Sequence, residues 1–207
     1  MSKVGKCPIW DTKANIESRA EDGRIVVTDS PRAGGGYSIS GDAKKRLREL
    51  DEVSKVRLTS WLVKQRIQGI ESPDILPDIM DQVKDKNDNR HKVTSPDRQY
   101  NLLRYLDTLD KKEVEFKESN DIDYKSLAWT SLRTIYNLFA WTSSRTISDV
   151  IKIAEDCHNY GWIEYYKESL EVPHSFTLHK LKLDQPGYAC IAKLKNVNHE
   201  SNQAFIA

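Results

Sequence analysis

The chain has 207 residues, 32 Lys and Arg against 31 Asp and Glu, and a formal net charge of +1, with 30% charged and 38% hydrophobic residues. So even a balance excludes a global electrostatic pull toward nucleic acid or a membrane surface. Three scattered cysteines, Cys7, Cys157 and Cys190, exclude a disulfide framework and suit the cytoplasm. No apolar run has membrane-spanning length, and Met1-Ser-Lys-Val-Gly5 lacks the apolar segment of a signal peptide. The expected fold class is α+β and mostly helical: a small N-terminal β module, a helical middle and a C-terminal winged-helix-like domain.

Residues 1–41 are expected to form the β module. An extended run, Arg24-Ile-Val-Val-Thr28, is joined to a short one, Tyr37-Ser-Ile39, by Ser30-Pro-Arg-Ala-Gly-Gly-Gly36. Proline fixes φ and glycine accepts values closed to other residues, so a tight turn is expected. It reads either as a plain hairpin turn or, with exposed N–H groups beside Arg32, as an anion nest. The spacing is not that of a P-loop or a dinucleotide fingerprint. Set beside Cys7-Pro-Ile-Trp10, the segment Ser30-Pro-Arg-Ala33-Gly34 has the layout of a zinc ribbon with two Cys-x-x-Cys knuckles. Only Cys7 remains at a ligand position, since Trp10, Ser30 and Ala33 fill the others. One thiolate cannot hold a structural zinc, so no metal and no cofactor is expected, and Trp10 is expected to pack where an ion would sit.

Residues 42–111 read as a helical region. Asp42–Leu50 begins a helix with Ser40 or Asp42 as cap, and Ser54–Gly69 makes a second, with Leu58, Trp61, Leu62 and Gln65 on one face. Between Lys44 and Arg66 eight basic residues oppose Glu49, Asp51 and Glu52. A solvated face explains this excess, and phosphate contact is the alternative. A short helix is expected from Pro77 to Lys84, a polar loop to Lys92, and a helix starting at Ser95-Pro96. Lys111–Asn120 is charged and is read as breaking the pattern, with the main boundary at 112–122.

Residues 122–198 carry the clearest order: a helix over Tyr124–Trp141, a turn at Thr142–Thr146, a helix from Ile147 closed by Asn159-Tyr-Gly161, strands at Trp162–Tyr166 and Phe176–Leu181 around Glu171-Val-Pro-His174, and a helix over Leu183–Leu194. This is the order of a winged helix. The helix that would enter a DNA groove carries Asp149, Glu155 and Asp156 against Lys152, which opposes phosphate neutralisation. A protein-contact role is therefore favoured, since fold does not fix function. His91, His158, His174, His179 and His199 show no metal-ligand spacing with the cysteines. Cys157 and His158 are neighbours on a helix and diverge, and Asp121-Ile-Asp123 reads as a cap.

Cys7-Pro-Ile-Trp10, Ser30-Pro-Arg-Ala-Gly-Gly35, Tyr37, Arg57-Leu-Thr-Ser-Trp-Leu-Val-Lys-Gln-Arg66 and Ser201-Asn-Gln-Ala-Phe-Ile-Ala207 occur in one order. Together they resemble the N-terminal part of bacterial multidomain proteins that end in a domain similar to TIR or nucleoside 2-deoxyribosyltransferase folds. The resemblance implies that residues 199–207 open the first strand of that further domain. It also implies a non-catalytic sensor, regulatory or scaffold region controlling an attached effector, in a setting of anti-phage defence. The enzyme chemistry implied for the attached domain is N-glycosidic cleavage or transfer. The alternatives are a nucleic-acid-binding regulator using residues 44–66 and a nucleotide-binding or nucleotide-cleaving part. No catalytic residue is assigned in this chain. Arg32, Gly34, Gly35, Gly36, Arg57 and Arg66 are the candidate contacts for a phosphate-bearing ligand. The expected partners are other domains of the same polypeptide, with a homo-oligomer left open and no membrane.

Overall fold

The computed structural model describes residues 3–18, 23–85, 88, 92–118, 129–170 and 176–203. It is α+β and falls into two compact units, Met1–Thr94 with Ile135–Thr146, and Ser95–Thr134 with Ile147–Ala207.

The first unit starts with a meander. Strands β1 (Lys3–Lys6), β2 (Lys13–Ser18), β3 (Ile25–Asp29) and β4 (Tyr37–Ile39) pair antiparallel in chain order, and β5 (Asp74–Ile75) adds to β4 in parallel. Between β1 and β2 the chain reverses through the Cys7 knuckle, where Asp11 takes a positive φ of 54° and its N–H bonds Cys7 O at 2.9 Å. Between β3 and β4 runs a single 3-10 turn, Pro31–Ala33. Helix α1 (Gly41–Leu47) is capped by Ser40, whose hydroxyl accepts from Ala43 N at 3.2 Å. Asp51 caps α2 (Glu52–Ile67) by accepting from Ser54 N at 2.8 Å, and α3 (Pro77–Lys84) starts with proline in its first turn. Cys7, Ile9, Val27, Tyr37 and Ile39 from the β module join Leu58, Leu62, Ile75, Met80 and Val83 in one core. The expected face of α2 is present, with Leu58 and Leu62 buried and Trp61 packed against that core.

The second unit comprises α4 (Ser95–Thr108), β6 (Glu113–Glu118), the first residues of α5 (Trp129–Trp141), α6 (Ile147–Asn159), β7 (Ile163–Leu170), β8 (Phe176–Leu183) and α7 (Gln185–Gln203). Its sheet is antiparallel with order β6-β8-β7, so the strand nearest the start of the unit lies beside the last one. Leu102, Leu103 and Leu106 of α4, Val150, Ile153, Ala154 and Cys157 of α6, and Val114, Phe116, Ile163, Leu181 and Leu183 of the sheet are buried. At the start of α7, Gly187 has no room for a side chain. A Cβ there would stand 2.2 Å from Trp162 O.

Several expectations change. Lys111–Asn120 does not merely break the pattern, because Glu113–Glu118 is a strand whose Val114 and Phe116 point inward while Glu115 and Lys117 stay exposed. The boundary drawn at 112–122 falls inside the second unit, which begins at Ser95, and the segment Ile135–Thr146 belongs with the N-terminal residues. Leu183 ends a strand rather than opening a helix. Helix α7 continues through Ser201-Asn-Gln203, where the start of a strand was expected. Asp121-Ile-Asp123, the Glu171–His174 turn, His91 and Ala204–Ala207 lie outside the described residues.

Candidate functional site

The glycine turn and its two arginines form the most tightly built polar site of the first unit. Arg32 occupies the middle of the 3-10 turn and is only 5% exposed. Its guanidinium carbon lies 4.1 Å from the centre of the Trp10 ring and 4.8 Å from that of Phe139, and Nη2 donates to Ser144 O at 3.2 Å. Trp10 is held in place by its own indole N–H, which donates to Thr59 Oγ1 at 2.9 Å. Burial draws the Arg32 pKa from 12.5 down to about 10, against smaller opposing contributions from Tyr136, Glu52 and Cys7. Arg32 therefore stays a cation at neutral pH, sandwiched between two aromatic faces that attract it through their quadrupoles.

Arg66, from the last turn of α2, approaches the same turn from the other side. Its Nη1 donates to Ala33 O at 3.2 Å and its Nη2 to Gly36 O. Burial likewise lowers its pKa to about 10, partly offset by Tyr37. The glycines make this approach possible. A Cβ on Gly35 would lie 2.9 Å from Arg66 Nε, and one on Gly36 would lie 2.9 Å from Thr28 O. Gly34 and Gly35 also hold positive φ values of 75° and 132°.

The N–H groups of Ala33, Gly34 and Gly35, which the nest alternative would leave free, are bonded within the turn. Ala33 N and Gly35 N each donate to Ser30 O at 3.0 Å, and Gly34 N donates to Pro31 O at 3.0 Å. The turn thus offers carbonyls to a cation, the reverse of an anion cradle. Five of the six sequence-named contacts, Arg32, Gly34, Gly35, Gly36 and Arg66, do come together. Arg57 does not join them, because it lies on another face of α2 and donates to Asp85 O at 2.8 Å.

The four positions compared with the ligands of a ribbon hold no shared site. Cys7 is buried with its Sγ 3.3 Å from Tyr37 Oη, Trp10 covers Arg32, and Ser30 and Ala33 are fully buried in the turn. Burial also pushes the Tyr37 phenol well above its ordinary range. Among the described residues no group of three or more His, Cys, Asp or Glu could hold a metal ion. The basic excess between Lys44 and Arg66 is partly neutralised: Lys45 pairs with Asp42 at 3.0 Å and Arg46 with Asp81 at 2.5 Å.

One buried polar network is not among the sequence expectations. On β8, His179 is 2% exposed and stacks on Phe116 at 4.9 Å between ring centres. Its Nε2 lies 3.2 Å from Glu118 Oε2 and its Nδ1 lies 2.7 Å from Tyr165 Oη. The signal was present in the alternation of β8, where His179, Leu181 and Leu183 share the inward face. Comparisons with protein-family models, curated proteins and solved structures gave no match.

Proposed function

We propose that this chain is a non-catalytic sensor, regulatory or scaffold region of a larger bacterial effector, with a metal-less ribbon-like module at its start and a winged-helix-like second unit that contacts protein. The carrying observation is the fate of the charged groups at the Arg32 turn. Arg32 and Arg66, which an anion pocket would need, are spent on backbone carbonyls and aromatic faces. A site built this way fixes structure and leaves little free charge for substrate.

The winged-helix reading is supported by the element order of the second unit, helix, strand, helix, helix, strand, strand, with β6 beside β8. On that reading α6 would face a DNA groove. Its Glu155 and Asp156 stand against one lysine, Lys152, and Asp156 also accepts from Gln99 at 3.3 Å. Repulsion from phosphates favours protein contact over nucleic acid.

On this reading the region acts on a catalytic-type domain of the full polypeptide, in a setting of anti-phage defence. NAD turnover by that polypeptide with and without residues 1–207 tests the regulatory role, and equal rates would refute it. For the isolated chain, no release of nicotinamide from NAD is expected, and labelled duplex DNA at physiological salt should bind weakly and without sequence preference. Turnover, or sequence-selective nanomolar binding, would overturn the reading.

A further inference from the structure

Beside the His179 network lies a cavity of about 390 Å³, lined by Glu155, His158 and Asn159 of α6 and by Tyr165 and Lys167 of β7. Its two walls carry opposite charges, Glu155 on the helix and Lys167 on the strand. Neither makes an ion pair or a side-chain hydrogen bond with a described residue.

The hydrogen bonds behind the walls decide what the cavity presents. Ile163 O can only accept, so His158 Nδ1, 3.1 Å away, carries its proton. In the neutral ring Nε2 is then an acceptor. Across the sheet, the Glu118 carboxylate accepts from His179 Nε2, which leaves His179 Nδ1 as an acceptor. The Tyr165 hydroxyl must therefore donate to it at 2.7 Å, and the Tyr165 oxygen keeps lone pairs for a further partner. Burial supports this arrangement by holding the His179 pKa below its ordinary value and pushing the Tyr165 phenol up to about 12.

One part of the cavity wall thus offers acceptors and a carboxylate, and Lys167 offers a cation. A phosphate ligand would meet the repulsion of Glu155, and a metal ion would meet that of Lys167. We infer that the cavity binds a free α-amino acid, its ammonium received by Glu155, His158 Nε2 and Tyr165 Oη and its carboxylate by Lys167. The side chain occupies the remaining volume, and the Asn159 amide can donate or accept toward either end. This inference stands on the cavity's geometry and goes beyond the regulatory reading.

The test is an NMR titration of the whole chain with the free L-amino acids, each compared with its N-acetyl and carboxamide derivatives. At least one free amino acid should shift the His158 and Tyr165 resonances. Blocking either terminus removes a charge-assisted contact and should weaken binding roughly tenfold to a hundredfold, as should Glu155→Gln and Lys167→Met. Tyr165→Phe keeps the ring but removes one acceptor together with the hydrogen bond to His179, so a loss of at least about tenfold is expected. These side chains are exposed or half-buried, so the variants should fold. If no free amino acid perturbs these resonances, or if the blocked derivatives bind as well as the free ones, the inference is overturned. Unchanged affinity in Glu155→Gln would overturn it equally.

Discussion

Replacing Arg32 by Met, Ala and Lys separates the contributions that hold the N-terminal module together. The pKa drawn from 12.5 to about 10 by burial corresponds to a penalty on the order of 3 kcal/mol for keeping the cation in place. Against it stand two stacking contacts, each worth about 1–2 kcal/mol when desolvated, and one hydrogen bond from a charged donor worth about 1.5–3 kcal/mol. The favourable contacts total about 3.5–7 kcal/mol and outweigh that penalty, so Arg32→Met, which fills the slot between Trp10 and Phe139 but orphans Ser144 O, should cost about 1–2 kcal/mol. Arg32→Ala leaves a cavity between the rings and orphans Ser144 O, so it should cost about 2–4 kcal/mol. Arg32→Lys keeps the burial penalty but loses the planar stack and should be at least as damaging as Ala. Urea unfolding of the four proteins, with Trp fluorescence reporting on Trp10 among the tryptophans, gives the order. If Met proves as damaging as Ala, filling the slot between the rings contributes nothing and the loss comes from the charge and its contacts alone, which would refute this ordering.

Gly187→Ala should destabilise by about 1–3 kcal/mol or more, because the new Cβ would stand 2.2 Å from a backbone carbonyl that cannot step aside. An urea midpoint equal to that of the parent would show that α7 docks elsewhere. His179 is held below its ordinary pKa of 6.5 by burial, with Glu118 and Glu155 acting to raise it and Lys167 to lower it. Its stabilising contribution is complete above about pH 6.5 and is lost as the pH falls toward the lowered folded-state pKa, since the unfolded chain takes up the proton first. Stability should therefore fall as the pH drops below about 6.5, the dependence should flatten in His179→Gln, and an identical pH profile in the variant would sink this assignment. Elemental analysis of protein purified without chelators should find no zinc. Near-stoichiometric zinc would end the metal-less reading, since Cys7 already contacts Tyr37.

Local signals were legible where a single side chain settles the local structure. Ser40 caps α1, Pro77 opens α3, and the turn after β3 closes where proline and three glycines demand it. Strand β6 was missed although Glu-Val-Glu-Phe-Lys-Glu alternates cleanly, because its charge hid its period. The fate of Arg32 was not legible at all. A basic residue beside glycines looks like an anion site until Phe139 and Ser144 are brought to it, the latter from 112 residues away in the sequence. Arg66 misled in the same way, because the sequence shows a donor and not whether the turn's N–H groups or its carbonyls will face it.

On the proposed reading of the N-terminal module as a metal-less ribbon, Arg32 supplies from within the chain a central cation that another ribbon takes from solution. A zinc ribbon folds when metal is available, because binding free energy is folding free energy. Here the partners of the cation are two aromatic rings and a carbonyl, and two of the three, Phe139 and Ser144, lie in the segment Ile135–Thr146. The order of the turn is therefore tied to the presence of that segment. Gly34 and Gly35 leave the room beside the turn that Arg66 takes up, since a Cβ on Gly35 would stand 2.9 Å from Arg66 Nε. On the proposed reading, then, the order of the module depends on residues 135–146 of the same chain and not on metal supply.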